Sequence, residues 1–525
     1  MNRILKKHSF KYLLTIILSI LTSFLFSVFA IRLGKVIDVV VNKNSSLKDK
    51  ILSCILIIFL WFVLSSIFNY VKSKYASDVI KDLKMHLYNS IGKKEISDYM
   101  SVSNEYYLNN LTKNIDFYND NYLGPKCDIV SNIISAIVSV GTIFFINWKL
   151  GLSFVAVTLV TIILSQLPGV IMAKKTVKFS ERNADNLKLI NNNLSGFEQI
   201  KLLNLFDIFQ NIFKKKDNDF ENVRLEYMFA SRFANTLGIF FSFFAQLACM
   251  SIGIWFVLQG NLTVGLLISS INLLNGVFSP VQEFAQNKNL MGTVKDIVKN
   301  FEDIMATDNE ESLDIKLNDN VNSISVKNLS MNFKDKHIFD NYNVNFECNK
   351  KYAIVGESGR GKSTLVKLIM KYYSSDSYSG EVLINGTNIN KIDTESLFNK
   401  IAYIQRNDFY VDGTIKDNIE LYRNLNIQQN LYNQLKFTEE FLNKNIEDGS
   451  RNLVSTGEKQ RIDILRFLVK DYDVLIFDEP TSNLDRETSK IIFDLIFKIS
   501  GKIVIVITHT SNEETLNKFD EVIRL

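Results

Sequence analysis

The first half of the chain alternates between long apolar stretches and polar segments. Six stretches contain no Asp, Glu, Lys or Arg, and they cover residues 12–31, 51–71, 129–148, 150–173, 233–258 and 264–282. Each is close to the ~20 residues with which a helix crosses a ~30 Å hydrocarbon layer. The last two are separated by a polar turn at residues 259–263, where a helix is expected to end. The pattern therefore predicts an all-α domain with six transmembrane helices over residues 1–283.

Two long polar segments, residues 72–128 and 174–232, lie between spans two and three and between spans four and five. Ile, Leu, Phe and Tyr recur through both, which favours helices that continue the spans away from the membrane. Lysine and arginine precede the first span and follow the fourth, which places the N-terminus in the cytoplasm. Six crossings return the chain to that side. We expect a multi-pass protein of the bacterial plasma membrane, with its second half cytoplasmic.

A charged segment, residues 284–320, separates the last span from a β-like alternation that begins near Ser323. It predicts a linker, followed by a second domain over residues 321–525. The net charge of +4 on 525 residues is small, and the basic residues form no aromatic-interleaved stripe. Nucleic acid is therefore not an expected partner. The four cysteines have no metal-binding or redox spacing, so buried packing is the expected role of most of them.

The run GESGRGKST, residues 356–364, follows an apolar strand and opens an amphipathic helix. Small residues allow backbone N–H groups to converge on phosphate oxygens at a helix N-terminus, so this run predicts a nucleotide-binding loop. Lys362 is expected to reach the β- and γ-phosphates, and Ser363 to hold Mg²⁺. The residues of the expected loop are Gly356, Glu357, Ser358, Gly359, Arg360, Gly361, Lys362, Ser363 and Thr364.

Two carboxylates follow a second apolar strand, in the run VLIFDEPTSNLD at residues 474–485. Asp478 is expected to contact the Mg²⁺ shell. Glu479 is expected to act as the general base that polarises or deprotonates an attacking water. A third apolar strand delivers His509 at its carboxyl end, the edge at which α/β sheets bind ligands, where it could contact the γ-phosphate.

These motifs, together with VSTGEKQR at residues 454–461, resemble those of ATP-binding cassette transporters. NWKLG at 147–151, GNLTVG at 260–265 and Pro280 resemble that family's membrane domain. Six spans followed by one cassette resemble an exporter-type half-transporter. The resemblance implies a six-helix transmembrane domain followed by an α/β P-loop NTPase domain. It also implies an ATPase coupled to transport, with ATP and Mg²⁺ as cofactors.

The resemblance also assigns roles outside the phosphate loop. Phe333 takes the place of the aromatic residue that stacks on adenine. Gln405 resembles the glutamine that joins Mg²⁺ and senses the membrane domain, and Asp485 the aspartate that contacts the partner cassette. Ser455 and Gly457 belong to the signature loop, which in this family faces the γ-phosphate bound by the opposite cassette.

The signature loop departs from the family's usual LSGGQ and reads VSTGE at residues 454–458. Thr456 replaces a glycine and could restrict the backbone, and Glu458 adds a negative charge near a polyphosphate. We expect a weakened but usable contact. The second chain that completes the site can be an identical copy or a different half-transporter, and the sequence leaves both open. The chain ends just after a predicted strand, and no cysteine-protease segment precedes the first span. We therefore expect neither a helical tail contact nor trimming of a cargo leader.

Transport by alternating access is what the resemblance implies, with coupling helices near residues 101–105 and 204–207 docking near Gln405. The uncharged spans favour an apolar or amphipathic cargo, such as a small peptide, lipid or drug-like molecule, in a membrane-lipid environment. The candidate polar groups of the cavity are Asn69, Asn132, Gln166, Gln246 and Asn272. Two alternatives remain open: a non-transporting regulator or ATP-gated assembly on the same scaffold, and an importer that uses the exporter-type fold.

Overall fold

The computed structural model divides the chain into two compact units. One, the helical unit, contains Met1–Asn89 and Tyr107–Met305, and the other, the α/β unit, contains Ser90–Tyr106 and Ala306–Leu525. The residues described are 1–42, 47–165, 167–306, 315–333, 336–406, 409–423, 427, 429–446, 454–482, 484–510 and 512–525.

The first thirteen helices run from the N-terminus to Met305. They are α1 (Asn2–Lys7), α2 (Ser9–Val41), α3 (Leu47–Gly92), α4 (Ile96–Met100), α5 (Asn104–Leu111), α6 (Lys113–Tyr118), α7 (Gly124–Ile146), α8 (Trp148–Ser165), α9 (Leu167–Ser195), α10 (Phe197–Leu202), α11 (Phe206–Leu258), α12 (Val264–Gly292) and α13 (Lys295–Met305). A π-helical turn, Asn119–Leu123, joins α6 to α7.

Within the described residues, four helical stretches are long and apolar enough to span a membrane: Ser9–Val41, Leu47–Gly92, Asn104–Ile146 and Phe206–Leu258. Two shorter apolar helices, Trp148–Thr161 and Val264–Pro280, lie where the fourth and sixth spans are predicted. The expected fourth span, 150–173, falls on α8 and the start of α9, with residue 166 outside the described part. The described residues of the six predicted apolar stretches are thus helical, with the exception of Asn147 between α7 and α8.

Helix boundaries have local causes. Asn147 is extended between α7 and α8, and its side-chain oxygen accepts hydrogen bonds from the backbone N–H groups of Lys149 and Leu150. Thr263 caps α12 by accepting from the N–H of Leu266, an N-cap that satisfies one orphan donor. The predicted polar turn at 259–263 is therefore confirmed.

The predicted helical extensions are also confirmed. Helices α3 and α11 have 46 and 53 residues, which correspond to about 70 and 80 Å at 1.5 Å per residue. Both are much longer than their apolar stretches. Within the predicted linker, residues 284–292 continue α12 and Lys295–Met305 forms α13, while 307–314 lie outside the described residues.

Small residues bring α2 and α12 close together. A Cβ added to Gly34 would lie 2.3 Å from the carbonyl oxygen of Gly265. Ser269 donates from its hydroxyl to the carbonyl of Ala30 at 2.8 Å, and Asp38 accepts from the N–H of Gly265 at 2.8 Å. Close approach through small residues, with polar groups bonded between helices, is the usual way that helices associate in lipid.

The α/β unit contains eleven strands and eight further helices among its described residues. The strands are β1 (Ser323–Phe333), β2 (Lys336–Glu347), β3 (Lys351–Val355), β4 (Ser379–Ile384), β5 (Thr387–Asn388), β6 (Ile401–Ile404), β7 (Gly413–Thr414), β8 (Asn445–Ile446), β9 (Val474–Asp478), β10 (Ile503–Ile507) and β11 (Glu521–Arg524). The helices are α14 (Lys362–Ile369), α15 (Thr394–Lys400), α16 (Ile415–Glu420), α17 (Gln429–Gln434), α18 (Glu439–Leu442), α19 (Thr456–Leu468), α20 (Arg486–Lys498) and α21 (Glu513–Leu516).

A parallel sheet with the order β11-β3-β10-β9-β6 forms the centre of this unit. An antiparallel sheet, β2-β1-β4-β5, and the short pair β7-β8 complete it. Strand β10 (Ile503–Ile507) is buried on both faces, with isoleucines in one apolar cluster and valines in another. Continuous burial of this kind is typical of a parallel strand covered on both sides. The carboxyl ends of β3, β9 and β10 consequently meet at one edge.

Candidate functional site

The loop after β3 has the conformation that glycine permits. Gly359 and Gly361 have φ values of 80° and 96°, in the left-handed region that residues with a Cβ rarely adopt. A Cβ on Gly361 would also lie 2.9 Å from side-chain atoms of Ile338 and Phe339. Helix α14 begins immediately afterwards at Lys362, so its free N–H groups point into the loop.

Lys362 lies inside this loop. It is 5% exposed, and its Nζ donates to the carbonyl oxygens of Gly356 and Glu357, both at 2.9 Å. The loop therefore holds a buried ammonium whose partners are carbonyl oxygens of the loop itself. Ser358 and Arg360 are exposed on the loop, and Arg360 forms an ion pair with Glu357 at 3.4 Å.

The carboxyl end of β9 lies beside the start of α14. The Oδ1 atom of Asp478 accepts a long hydrogen bond of 3.4 Å from the hydroxyl of Ser363. The Oδ2 atom accepts a short one of 2.6 Å from the hydroxyl of Tyr403 on β6. Burial raises the pKa of Tyr403, and its hydrogen bond to Asp478 raises that pKa further. The phenol therefore remains a donor to the carboxylate at neutral pH.

Glu479, the next residue, has a left-handed backbone with φ of 51°. Its N–H donates to the carbonyl of Ile507 at the end of β10. The Oε1 atom of Glu479 lies 2.9 Å from Nε2 of His509. The two side chains are 40% and 47% exposed, so both are open to a ligand at this edge. The structure thus brings Ser363, Asp478, Glu479 and His509 together, as predicted.

The signature loop begins helix α19. Ser455 is the N-cap: its hydroxyl oxygen accepts from the N–H of Glu458, and the carboxylate of Glu458 accepts from the N–H of Ser455 at 2.7 Å. This reciprocal arrangement is a capping box, which glutamate and glutamine can both complete. Thr456 is the first helical residue, so its backbone is in a conformation that threonine adopts readily. A Cβ on Gly457 would lie 3.0 Å from Leu484.

The remaining predicted residues lie on other elements. Gln405 follows β6 and hydrogen-bonds the hydroxyl of Tyr372, whose pKa is raised by burial and lowered by this bond, with burial the larger effect. Asp485 caps α20 by accepting from the N–H of Thr488 at 2.9 Å, and this bond is the main reason that its pKa is lowered. Phe333 ends β1, and its side chain lies outside the described part of the structure.

Three contacts were not anticipated from the sequence. The hydroxyl of Tyr403 donates a hydrogen bond to Asp478. The side-chain amide of Gln460 on α19 donates to the carbonyl of Glu479 at 2.9 Å. Lys371, 6% exposed, forms an ion pair of 3.2 Å with Glu95, which lies in the part of the α/β unit that precedes α4. A polar residue at a buried position signals that a partner is needed, and this signal was present for Tyr403 in IAYI and for Gln460 in α19. No local pattern indicates the pairing of Lys371 with Glu95.

The side chains present suit a magnesium nucleotide. A hydroxyl and a carboxylate lie at the start of the phosphate loop's helix, and these are the hard oxygen ligands that Mg²⁺ prefers. Among the described residues, no group of three or more His, Cys, Asp or Glu forms a metal cage.

Comparisons with known proteins extend over both units. Residues 12–281 match the model of the ABC transporter transmembrane region, and residues 339–482 match the ABC transporter model. The chain is 25% identical to the uncharacterized ABC transporter ATP-binding protein YwjA of Bacillus subtilis, over 86% of this chain and 81% of the relative. It is 24% identical to the ATP-dependent lipid A-core flippase of Desulfotalea psychrophila, over 78% and 74%.

A third relative is the lactococcin-G-processing and transport ATP-binding protein LagD of Lactococcus lactis, 25% identical over 73% of this chain and 57% of the relative. The fold is similar to that of a bacterial Atm1-family ABC exporter solved with ATP bound, with a TM-score of 0.78 and 19% identity over 100% of this chain and 94% of the other. The family models together cover most of the sequence. The chain therefore belongs to the ABC transporter family, as a membrane-embedded, ATP-binding protein whose ATPase is coupled to transport.

Proposed function

We propose that this chain exports an apolar or amphipathic solute, as one half of a two-chain ABC transporter. The observation that carries the proposal is that a complete set of hydrolytic side chains shares one chain with six apolar stretches that contain no charged residue. Charged groups inside a membrane are costly and usually serve function when present, so their lack disfavours a strongly charged cargo. The relatives named for a lipid A-core flippase and for lactococcin G transport support a lipid or small peptide.

Each site residue then has a chemical role. Backbone N–H groups of the phosphate loop and the ammonium of Lys362 bind the phosphates, and the ring of Phe333 stacks on adenine. Ser363, Asp478 and Gln405 would hold Mg²⁺, which would neutralise negative charge on the phosphate oxygens. Glu479 takes the proton of the attacking water. His509, 2.9 Å from that carboxylate, keeps it oriented and contacts the γ-phosphate.

A second copy of the chain completes each site. Ser455 and Gly457 face the γ-phosphate of the partner, and Asp485 contacts the partner cassette. The capping box supports this, because the charge of Glu458 is directed back to the N–H of Ser455 while the hydroxyl of Ser455 keeps its proton to donate. The altered signature is therefore compatible with a homodimer.

Two regions support coupling between nucleotide and membrane. Residues 90–106 belong to the α/β unit although their sequence neighbours belong to the helical unit, and Glu95 is the residue that pairs with buried Lys371. The second region for which a coupling helix is predicted, residues 204–207, is next to an exposed apolar patch. This patch consists of Phe197, Leu202, Leu203 and Phe206. An exposed apolar patch of this kind is typical of a protein contact, and we propose that it contacts the partner chain.

Three of the five proposed cavity groups make hydrogen bonds between or within helices. Asn132 donates to Glu283, Gln246 donates to Asn275, and Asn272 donates to the carbonyl of Ile268. Asn69 is exposed, and Gln166 lies outside the described residues. Cargo is therefore expected to be selected by apolar surface more than by dedicated polar groups. We place the nucleotide site in the cytoplasm of a bacterial cell, from the lysines and arginines that precede the first span.

The test of export is a vesicle assay with the Glu479→Gln variant. Inside-out vesicles that contain wild-type protein should accumulate a fluorescent lipid or a labelled peptide when ATP is added outside. The variant should bind ATP with unchanged affinity but stop accumulation and hydrolysis. Accumulation that persists in the variant would falsify the hydrolytic exporter. ATP-dependent loss of cargo from preloaded inside-out vesicles would instead identify an importer.

The test of the homodimer is ATP-dependent cross-linking of Ser358→Cys with Ser455→Cys. Cys348, the one native cysteine of four that is not buried, is first changed to serine. Mild oxidation after ATP addition should join two identical chains. If well-folded protein that binds ATP never cross-links, an identical copy is not the partner.

A further inference from the structure

The backbone of Glu479 is strained. Its φ of 51° is a conformation that a residue other than Gly, Asn or Asp adopts at a cost of about 1–3 kcal/mol, and such residues persist only where their surroundings hold them. Hydrogen bonds hold both peptide groups that flank its Cα atom. The N–H of Glu479 donates to Ile507, and its carbonyl accepts from the N–H of Ser482 at 3.2 Å and from the hydroxyl of Ser482 at 3.1 Å.

The carbonyl of Glu479 has one further donor, and this donor comes from another element. The side-chain amide of Gln460 donates to it at 2.9 Å, the shortest of the three bonds to this oxygen. Gln460 is 7% exposed, so its amide would be costly to bury without this partner. The bonds from Ser482 are local to the turn, whereas the bond from Gln460 joins the turn to α19.

The position of Gln460 on α19 gives the bond its significance. It lies five residues after Ser455, the N-cap of α19, or about 7.5 Å along the helix axis at 1.5 Å per residue. A displacement of the start of α19 is therefore transmitted over less than two turns to the carbonyl of Glu479. A change in the backbone of Glu479 would also change the direction of its carboxylate, because the backbone conformation sets where the side chain points.

We propose that Gln460 is a positioning residue for hydrolysis: it holds the left-handed backbone of Glu479 and makes the orientation of that carboxylate depend on the helix that begins at the signature loop. The second part rests on the proposed function, in which Ser455 meets the nucleotide of the partner chain. In that arrangement, engagement of the partner's nucleotide adjusts this chain's own Glu479. Gln460 acts through Glu479, because its side-chain amide donates to the carbonyl of that residue.

The experiment replaces Gln460 with methionine, which has a similar volume and no amide, and with glutamate, which keeps the shape but as a carboxylate donates no hydrogen. Gln429→Met, at an exposed position on α17, is the matched control. Losing one hydrogen bond between neutral groups should lower kcat about three- to tenfold in both Gln460 variants. The KM for ATP should stay within about twofold, because Gln460 lies on α19 and is not part of the phosphate loop.

Two further measurements separate positioning from folding in the full-length protein. The ATP-dependent cross-link between Ser358→Cys and Ser455→Cys should match that of the parent, and the midpoint of thermal unfolding should fall by no more than the few degrees that one lost buried hydrogen bond costs. A kcat equal to that of the control variant would overturn the inference, and so would a parallel loss of kcat, ATP binding and cross-linking, which identifies a structural role. Failure of the parent that carries Ser358→Cys and Ser455→Cys to cross-link, or of the wild-type protein to transport, contradicts the proposed function instead.

Discussion

Tyr403 provides the sharpest test of how the site is held together. Its ring is 6% exposed, and its hydroxyl donates to Oδ2 of Asp478 at 2.6 Å. A hydrogen bond of this length to a carboxylate contributes roughly 1.5–3 kcal/mol to stability. Tyr403→Phe removes the bond and leaves Oδ2 facing an apolar ring, so thermal unfolding of the α/β unit should begin several degrees lower.

The same substitution should weaken Mg²⁺-dependent turnover. Asp478 is a proposed Mg²⁺ ligand, and removal of a hydrogen bond that orients a ligating carboxylate typically costs about 10–100-fold in metal affinity. ATPase activity titrated against free Mg²⁺ should therefore show a half-saturation point higher by about that factor. The pKa of Tyr403 is raised above its ordinary value of about 10. The hydroxyl is then protonated in both folded and unfolded chains below about pH 9, so the effect should be constant from about pH 6 to pH 9.

Tyr432→Phe is the matched control. Tyr432 is 4% exposed, and its hydroxyl has no hydrogen-bond partner among the residues that the structure describes. Removing that hydroxyl should leave stability and Mg²⁺ dependence unchanged or slightly improved. If Tyr403→Phe leaves the Mg²⁺ half-saturation point where it was, or if Tyr432→Phe shifts it equally, the reasoning about Asp478 is refuted.

Three other predictions concern separate parts of the structure. Gly361→Ala should lower ATP affinity at least about tenfold in a nucleotide-binding titration, because the added Cβ strains the loop and clashes with Ile338 and Phe339. The control is Gly386→Ala, which is also at positive φ but has no atom within 4 Å of the added Cβ. This variant should bind ATP normally. Asp463→Ala should lower the free energy of unfolding by about 3–5 kcal/mol, because it leaves the buried guanidinium of Arg466 without its carboxylate partner. Denaturant titration measures this loss, and a change below about 1 kcal/mol would contradict the prediction. Glu95→Lys and Lys371→Glu should each reduce the amount of cargo moved per ATP hydrolysed, and the double variant should recover part of this lost transport. If the double variant transports as poorly as the single variants, the ion pair is not important for coupling.

Much of the site could be predicted from the sequence because its motifs are local. The phosphate loop needs glycines at positive φ, and the carboxylates must follow an apolar strand, so spacing alone locates Gly361, Asp478 and Glu479. The helical extensions were also predictable, because apolar spacing continues through both long segments. Thr456 was expected to restrict its loop, but it starts a helix, where a β-branched residue at the first position causes no conflict.

The contacts made by Gln460, Tyr403 and Glu95 could not be paired from the sequence. They join residues 19, 75 and 276 positions apart, and a buried polar residue indicates only that some partner exists. The partner depends on how strands are ordered in the sheet and on which segment joins the α/β unit. Helix boundaries inside apolar runs were similarly undetermined: Asn147 marks one through its side-chain cap, which composition does not reveal.

At position 479, the left-handed backbone makes the residue that is proposed for catalysis different from the residue that would give the highest thermal stability. Glycine at this position would relieve a backbone strain of about 1–3 kcal/mol, and its greater freedom in the unfolded chain would offset only about 0.5–1 kcal/mol of that gain. A library of variants sorted only for survival on heating should therefore collect chains with the Glu479→Gly substitution, which are robust but catalytically silent. A heat-resistant version of this protein would have to gain its stability at other positions, because the stabilising substitution at position 479 removes the proposed general base.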